Sequence, residues 1–391
     1  MNKEQLALFG GVPVRTSVWI WKSSFGDEEA NAVHTIVKSG KLSVFRGGTA
    51  VREFEEKFAQ FSGAKYGVAT TSGTTALHSA VTALGITEGD EVLVPPLTFV
   101  STASVVLQEK AIPVFVDVEP TSYCMSPQDL ESKITKRTKA IIPVHIYGHP
   151  ADMYKICDIA RRYNLAVISD SAQAHGAKIK NQPIGAFGNI SCYSFFQTKN
   201  MTTGEGGMAI TNDDALARKL RLKREHGSIP NQHTWYAYEE LGYNYAMTEL
   251  QAAVGLVQLK RLEGFNERRR ENASFYQAQL SKTGLVLPRI NEEFYHVFHN
   301  FPILLPEGKS HLRSEFVAAI RAEGVPVDIC YPVPLYETNL FRKAGISGRC
   351  PNAESITSRI FTLFTDPALE TPDLENICAA VIKVSQFYLG G

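Results

Sequence analysis

Ala140-Ile141-Ile142-Pro143-Val144-His145 and Leu165-Ala166-Val167-Ile168-Ser169-Asp170 are apolar runs of strand length, and the stretch between them, Ala151–Tyr163, is helical in its spacing. Strand, helix, strand in this order reads as a parallel crossover, because two strands running the same way need a connection long enough to return to the starting edge. The pattern continues outward on both sides. Upstream lie a helix over Val51–Phe61, a strand over Tyr66–Thr71, a helix from Ser72-Gly73-Thr74 to Leu84, a strand over Glu91–Val94, a helix over Thr98–Gln108 and a strand over Ile112–Val116. Downstream come short strands over Ile190–Phe195 and Gly207–Thr211, then helices over Ala215–Lys223 and Thr248–Arg269. This alternation predicts an α/β protein built on a large, doubly wound, mostly parallel sheet.

The 391 residues are more than one ordinary domain requires. We expect a large α/β domain over 1–263 and a smaller α+β domain over 264–391, divided inside the long helix near Gly264. Val297–Leu305, Ser314–Ala322 and Leu374–Tyr388 supply strand and helices to the smaller one, and the N-terminal segment is expected to pack on it. With 40 Lys+Arg against 40 Asp+Glu, a general electrostatic case for nucleic acid or an anionic membrane falls away. The basic run Arg218, Lys219, Arg221, Lys223 and Arg224 reads as a solvated helix face. The six cysteines are scattered, with no Cys-x-x-Cys pair, and read as reduced thiols without a zinc ribbon. The short apolar stretch Leu6–Phe9 cannot form a signal-peptide core, and no apolar run approaches the roughly 20 residues of a membrane span. A cytoplasmic location is therefore expected.

Ligands of parallel sheets collect beyond the carboxyl ends of the strands, and four features fall there. Ser72-Gly73-Thr74 is either a helix N-cap or a cup for phosphate, since small residues let an anion approach the free N–H groups of a helix start. Asp170 either caps its loop or holds a cationic ring nitrogen or a metal. His175, close behind it, reads as a loop histidine. Lys199, in Ser194-Phe195-Phe196-Gln197-Thr198-Lys199-Asn200, is either an exposed hairpin lysine or a buried amine with a lowered pKa, fit to act as nucleophile or base. Gly242-Tyr243-Asn244-Tyr245-Ala246-Met247 precedes the long helix as a loop with a cap. His145 and His149 are separated by Gly148 and followed by Pro150, so no zinc pair is expected, and no metal site is expected elsewhere.

A phosphate cup, an aromatic residue (Phe99), a carboxylate and a lysine make the inventory for pyridoxal 5′-phosphate. In order along the chain, these motifs closely resemble the DegT/DnrJ/EryC1/StrS family of sugar aminotransferases, which have the aspartate-aminotransferase fold (fold type I). The resemblance runs from Leu6–Arg15 through Gly73–Leu77, Pro95–Phe99, Pro143–Gly148, Asp170–Ala177, Ser194–Gly207, Gly242–Leu250 and Tyr331–Tyr336. It implies that Lys199 holds the cofactor's aldehyde, Asp170 pairs with its ring nitrogen, Gln173 lies near its ring hydroxyl and Phe99 stacks on it. It further implies phosphate contacts from Gly73, Thr74 and Ser194, and from Asn244 of a neighbouring subunit, hence a homodimer with shared active sites. Tyr331 and Tyr336 are expected near substrate.

The reaction the resemblance implies moves an amino group from L-glutamine or L-glutamate to a ketone. The Gly-Gly-x-Pro-Val-Arg start, Gln197 and Pro334-Leu335-Tyr336 resemble the branch acting on keto-cyclitols such as scyllo-inosose, in aminocyclitol or antibiotic biosynthesis. A nucleotide-linked keto-sugar is the alternative acceptor, and 3-amino-5-hydroxybenzoate synthases are similar too. A non-catalytic regulator on the same fold, or a lyase or dehydratase, would be the other outcomes; relatives with histidine at the lysine position are dehydratases, and Lys199 argues against that. Relatives often carry a basic residue where Ala246 stands, which puts one anion contact in doubt.

Overall fold

The computed structural model describes residues 5–228, 236–289 and 291–390. The charged start Met1–Glu4 lies outside them. Twelve strands are formed among the described residues: β1 Tyr66–Thr70, β2 Glu91–Val94, β3 Ile112–Phe115, β4 Thr138–Ile141, β5 Ala166–Asp170, β6 Lys178–Ile179, β7 Gln182–Pro183, β8 Ile190–Ser194, β9 Gly207–Thr211, β10 Phe294–Tyr295, β11 Asn300–Leu304 and β12 Ile360–Phe364. Seven of them make one sheet in the order β1-β9-β8-β5-β4-β2-β3. From β8 to β3 all pairs are parallel, while β9 runs against both its neighbours. The expected α/β architecture is therefore present. The inner strands β2, β5 and β8 are buried on both faces almost throughout, as helices on either side of a parallel sheet require.

Element ends follow local chemistry. Pro143 carries no N–H, so β4 stops at Ile141, short of the expected His145, and Val144 rejoins only as an isolated bridge to Asp170. The helix expected from Thr98 starts at Ser101, just after Pro95-Pro96, which leaves Thr98 and Phe99 in the loop at the sheet's carboxyl edge. The helix Met153–Tyr163 opens on an Asp152 side chain that accepts the Lys155 N–H, and closes on Asn164 in the left-handed region.

The helix expected to end at Arg269 continues from Glu249 to Leu280 without interruption at Gly264. Its first half packs Ala252 and Leu262 with Phe54, Phe58 and Phe195, and its second half packs Ala273, Tyr276 and Leu280 with Phe301, Ile303 and Phe361. Leu6, Phe9, Val14 and Trp19 join that second core, and Arg15 pairs with Asp373 at 3.0 Å. The chain beyond 264 does not stay together, however: Leu335, Phe341, Ala353 and Ile356 pack with the large sheet's core. Helices Asp27–Ser39 and Pro351–Arg359 were not expected from the sequence.

The basic run also needs correction at its end, where Lys223 is largely covered and pairs with Glu240 at 3.0 Å. Arg224 is buried, donating to Glu55 Oε1 at 2.5 Å and to the Ala69 carbonyl, with Glu225 beside it. Among the described residues no helix is long and apolar enough to cross a membrane.

Candidate active site

Asp170 ends β5 at the carboxyl edge and is buried. Its Oδ2 accepts from Thr102 Oγ1 at 2.7 Å and its Oδ1 from the Ala172 N–H at 3.2 Å, while Thr102 is itself paired with Thr98 Oγ1 at 2.8 Å. Burial pushes the carboxyl's pKa up; the Thr102 hydroxyl, the Ala172 amide and the charge of Lys199 pull against it. Lys199 sits in the turn between β8 and β9, with its N–H on the Phe196 carbonyl at 2.9 Å. It is not an exposed hairpin lysine: burial pushes its amine down, and Asp170 and Cys330 push it up. Thus β5 and β8, adjacent in the sheet, bring Asp170 and Lys199 within electrostatic reach although 29 positions separate them.

Gln173 is fixed at both ends. Its Oε1 accepts from the Tyr147 N–H at 2.8 Å and its Nε2 donates to Tyr331 OH at 2.9 Å, which brings Tyr331 to the site. Tyr147 reaches the same segment, donating its hydroxyl to the Cys330 carbonyl. Tyr336 does not follow Tyr331. Its hydroxyl bonds Glu354 at 2.7 Å and accepts from the Cys350 amide, and its ring packs on Phe115. These contacts hold Tyr336 against Glu354, Cys350 and Phe115 rather than beside Gln173.

The candidate anion cup lies where the helix Gly73–Ala83 begins, and helix N-termini present N–H groups without intrahelical partners. Ser72 Oγ caps Thr75, and Thr74 Oγ1 bonds Ser101 Oγ at 2.7 Å. A Cβ on Gly73 would lie 2.6 Å from Ser194 Cβ, so only glycine lets the helix start approach β8 this closely. Phe99 stands 56% exposed over this edge, its carbonyl accepting from the Thr102 N–H. Asn244 is exposed in an extended segment bridged to Glu225, and no described contact joins it to Asp170 or Lys199 of its own chain. Ala246 bridges Thr70 on that segment.

The residues present fit pyridoxal phosphate. A buried carboxylate with no full ion pair suits a cationic ring nitrogen, a lysine with a depressed pKa suits an aldehyde, and the glycine-lined cup suits a phosphate. Thr102, Tyr147 and Cys330 were missed by sequence reasoning. Tyr147 lies within the Pro143–Gly148 motif but was given no role there, and the local sequence of Thr102 and Cys330 does not single them out, because these roles depend on what lies across the sheet. His175 is buried and its imidazole is pushed down to about 3, which keeps it neutral. His145 accepts from the Ala151 amide through Nδ1, and no cluster of three metal-ligating side chains occurs among the described residues.

Fold and site together define a pyridoxal-phosphate-dependent aminotransferase. The chain belongs to the DegT/DnrJ/EryC1/StrS aminotransferase family, whose model matches residues 23–382. Among curated relatives, it is 42% identical to a GDP-perosamine synthase of Caulobacter vibrioides, over 86% of this chain and 90% of that one. It is 41% identical to a UDP-N-acetyl-3-dehydro-alpha-D-glucosamine 3-aminotransferase of Acidithiobacillus ferrooxidans, over 85% of this chain and 88% of that one. Among solved structures it resembles DesV of S. venezuelae with a TM-score of 0.86 and 33% identity, covering 92% of this chain and 95% of that one. The enzyme is a sugar aminotransferase.

Proposed function

We propose that this enzyme transfers the amino group of L-glutamate or L-glutamine to the keto carbon of a nucleotide-linked sugar. The observation that carries this reading is that relatives at 41% and 42% identity are named for UDP- and GDP-linked sugars. It favours the nucleotide-sugar alternative over the keto-cyclitol acceptor expected from the N-terminal motif and Gln197. The cofactor supplies an aldehyde that links amines and a ring that accepts the electron pair left when a proton departs the carbon beside the nitrogen.

In this reading Lys199 anchors the cofactor and, once its amine is freed, takes the proton from the donor's Cα. In the second half of the cycle it returns a proton to the carbon of the acceptor that receives the amine. Burial supports that role by holding the amine's pKa below its ordinary value. Asp170, supported by Thr102, keeps the ring nitrogen protonated. Gln173 orients the ring from its side, with Tyr331 beside it, and Phe99 covers one face. Gly73, Thr74 and Ser194 hold the phosphate. Asn244 completes the phosphate site from a second copy of the chain, which makes the homodimer the working unit; its exposure on a segment bridged to Glu225 supports this reading.

The test is amine transfer followed by mass spectrometry. The holoenzyme is given nitrogen-15 glutamate or glutamine with a UDP-linked keto-sugar, a GDP-linked keto-sugar and scyllo-inosose in parallel. Label in a nucleotide-linked product supports the reading. Label in scyllo-inosose with neither nucleotide sugar aminated would overturn it and restore the keto-cyclitol reading.

A further inference from the structure

Asn200 and Asn266 form a buried amide pair beneath the site. Asn200 follows Lys199 directly, and Asn266 lies in the helix Glu249–Leu280; each is 2% exposed. Asn200 Nδ2 donates to Asn266 Oδ1 at 2.8 Å and to the Val297 carbonyl at 3.0 Å. Asn266 Nδ2 donates to the His175 carbonyl at 2.8 Å. The two backbone carbonyls fix both amide orientations. Turning Asn266 over would set its oxygen against the His175 oxygen, and turning Asn200 over would do the same at Val297.

The chain on either side of this pair carries the cofactor's two poles. His175 closes the loop that starts at Asp170, and Asn200 closes the turn that carries Lys199. Asn266 is thus a single side chain hydrogen-bonded to both. Gly176 accommodates it: with φ at +80°, a Cβ there would lie 2.9 Å from Asn266 Nδ2. One turn further along the helix, Arg269 donates to the His299 carbonyl and to Thr365 Oγ1, so the same helix also grips the second core.

We propose that Asn266 is a positioning residue that sets the Lys199 turn against the Asp170 loop, and so fixes the cofactor's tilt. The proposal rests on the roles given above to Lys199 and Asp170. A supporting side chain of this kind matters because catalytic geometry must hold to within fractions of an ångström. Losing it leaves both straps present but separately mobile. Asn272, six residues along the same helix, provides a matched comparison: it is equally buried and donates to the Thr365 and Asp366 carbonyls, with no bond to either strap.

The experiment compares full-length holoenzymes of wild type, Asn266→Ala, Asn200→Ala, the double variant and Asn272→Ala. Thermal midpoints, kcat, and the induced circular dichroism of the visible cofactor band per mole of bound cofactor are measured for each. We expect the Asn266→Ala and Asn272→Ala midpoints to fall alike. Of these two, Asn266→Ala alone should lose about half of the induced signal and about tenfold in kcat. Asn200→Ala should reproduce that loss, with the double variant no worse than either single one. If Asn266→Ala matches Asn272→Ala in all three readouts, the pair is structural only and the proposal is overturned. Should Asn266→Ala fail to fold, Asn200→Ala with an unchanged induced signal overturns it equally. A wild-type protein that shows no visible cofactor band, or keeps it in Lys199→Ala, would instead overturn the site assignment and this proposal with it.

Discussion

Thr102 Oγ1 donates to Asp170 Oδ2 across 2.7 Å, joining the first turn of the helix Ser101–Gln108 to the end of β5 inside the protein. A hydroxyl donor favours the ionised carboxylate, and burial disfavours it. Removing the donor in Thr102→Val raises the Asp170 pKa further, so the carboxylate is lost earlier as pH falls. We expect kcat to drop about tenfold, as suits a hydrogen bond to a charged group, and the acidic limb of its pH profile to move to higher pH. Thr102→Ser keeps the donor and should stay near wild type. An unmoved acidic limb in Thr102→Val would show that Asp170 does not set it.

Asp170→Asn separates stability from activity. A carboxyl whose folded-state pKa is raised by burial contributes stability below its unfolded value, and loses it as pH rises through the folded one. The neutral amide has no such loss. The cofactor-free variant should therefore melt higher than cofactor-free wild type at neutral pH and alike at acid pH, while amine transfer falls by about a hundredfold or more. Calorimetry at two pH values, alongside the transfer assay, checks both halves.

Gly73→Ala tests the cup. The added methyl meets Ser194 Cβ at 2.6 Å, inside contact distance, and must push the helix start from β8. Overpacking of this kind costs about 1–3 kcal/mol. We expect the cofactor dissociation constant to rise about tenfold, a change worth about 1.4 kcal/mol, with kcat at saturating cofactor less affected. Spectrophotometric titration of the cofactor-free protein measures it.

Arg224→Met leaves Glu55 and Glu225 without their buried cation. Breaking a buried pair from one side costs about 3–5 kcal/mol. Urea denaturation should show that loss, and the Ala69 end of β1, which Glu55 and Arg224 both hold, should exchange its amide hydrogens faster.

The order of strands and helices was legible because apolar periodicity and turn residues are local properties. β2 and β9 match their expected ends, β1, β3, β5 and β8 differ from them by one residue, and β6, β7, β10 and β12 were not expected. The largest displacements came where proline removed a donor, as at Pro143, and where a long helix had no breaker, as beyond Arg269. The candidates Asp170, Lys199 and Gly73 were legible because strand-end position and residue chemistry travel together, whereas Gln173 came only from the family resemblance.

The sequence by itself determined the α/β alternation, the strand-end carboxylate and lysine, and the family to which they belong. Only the tertiary structure decided that Tyr331 faces Gln173 while Tyr336 turns to Glu354, that Thr102 supports Asp170, and that Asn266 joins His175 and Asn200, 25 positions apart. The reason is geometric. Periodicity along a chain fixes which face a residue takes within its own element, whereas its partner depends on strand order, and β5 meets β8 only after the intervening chain has left the sheet and returned.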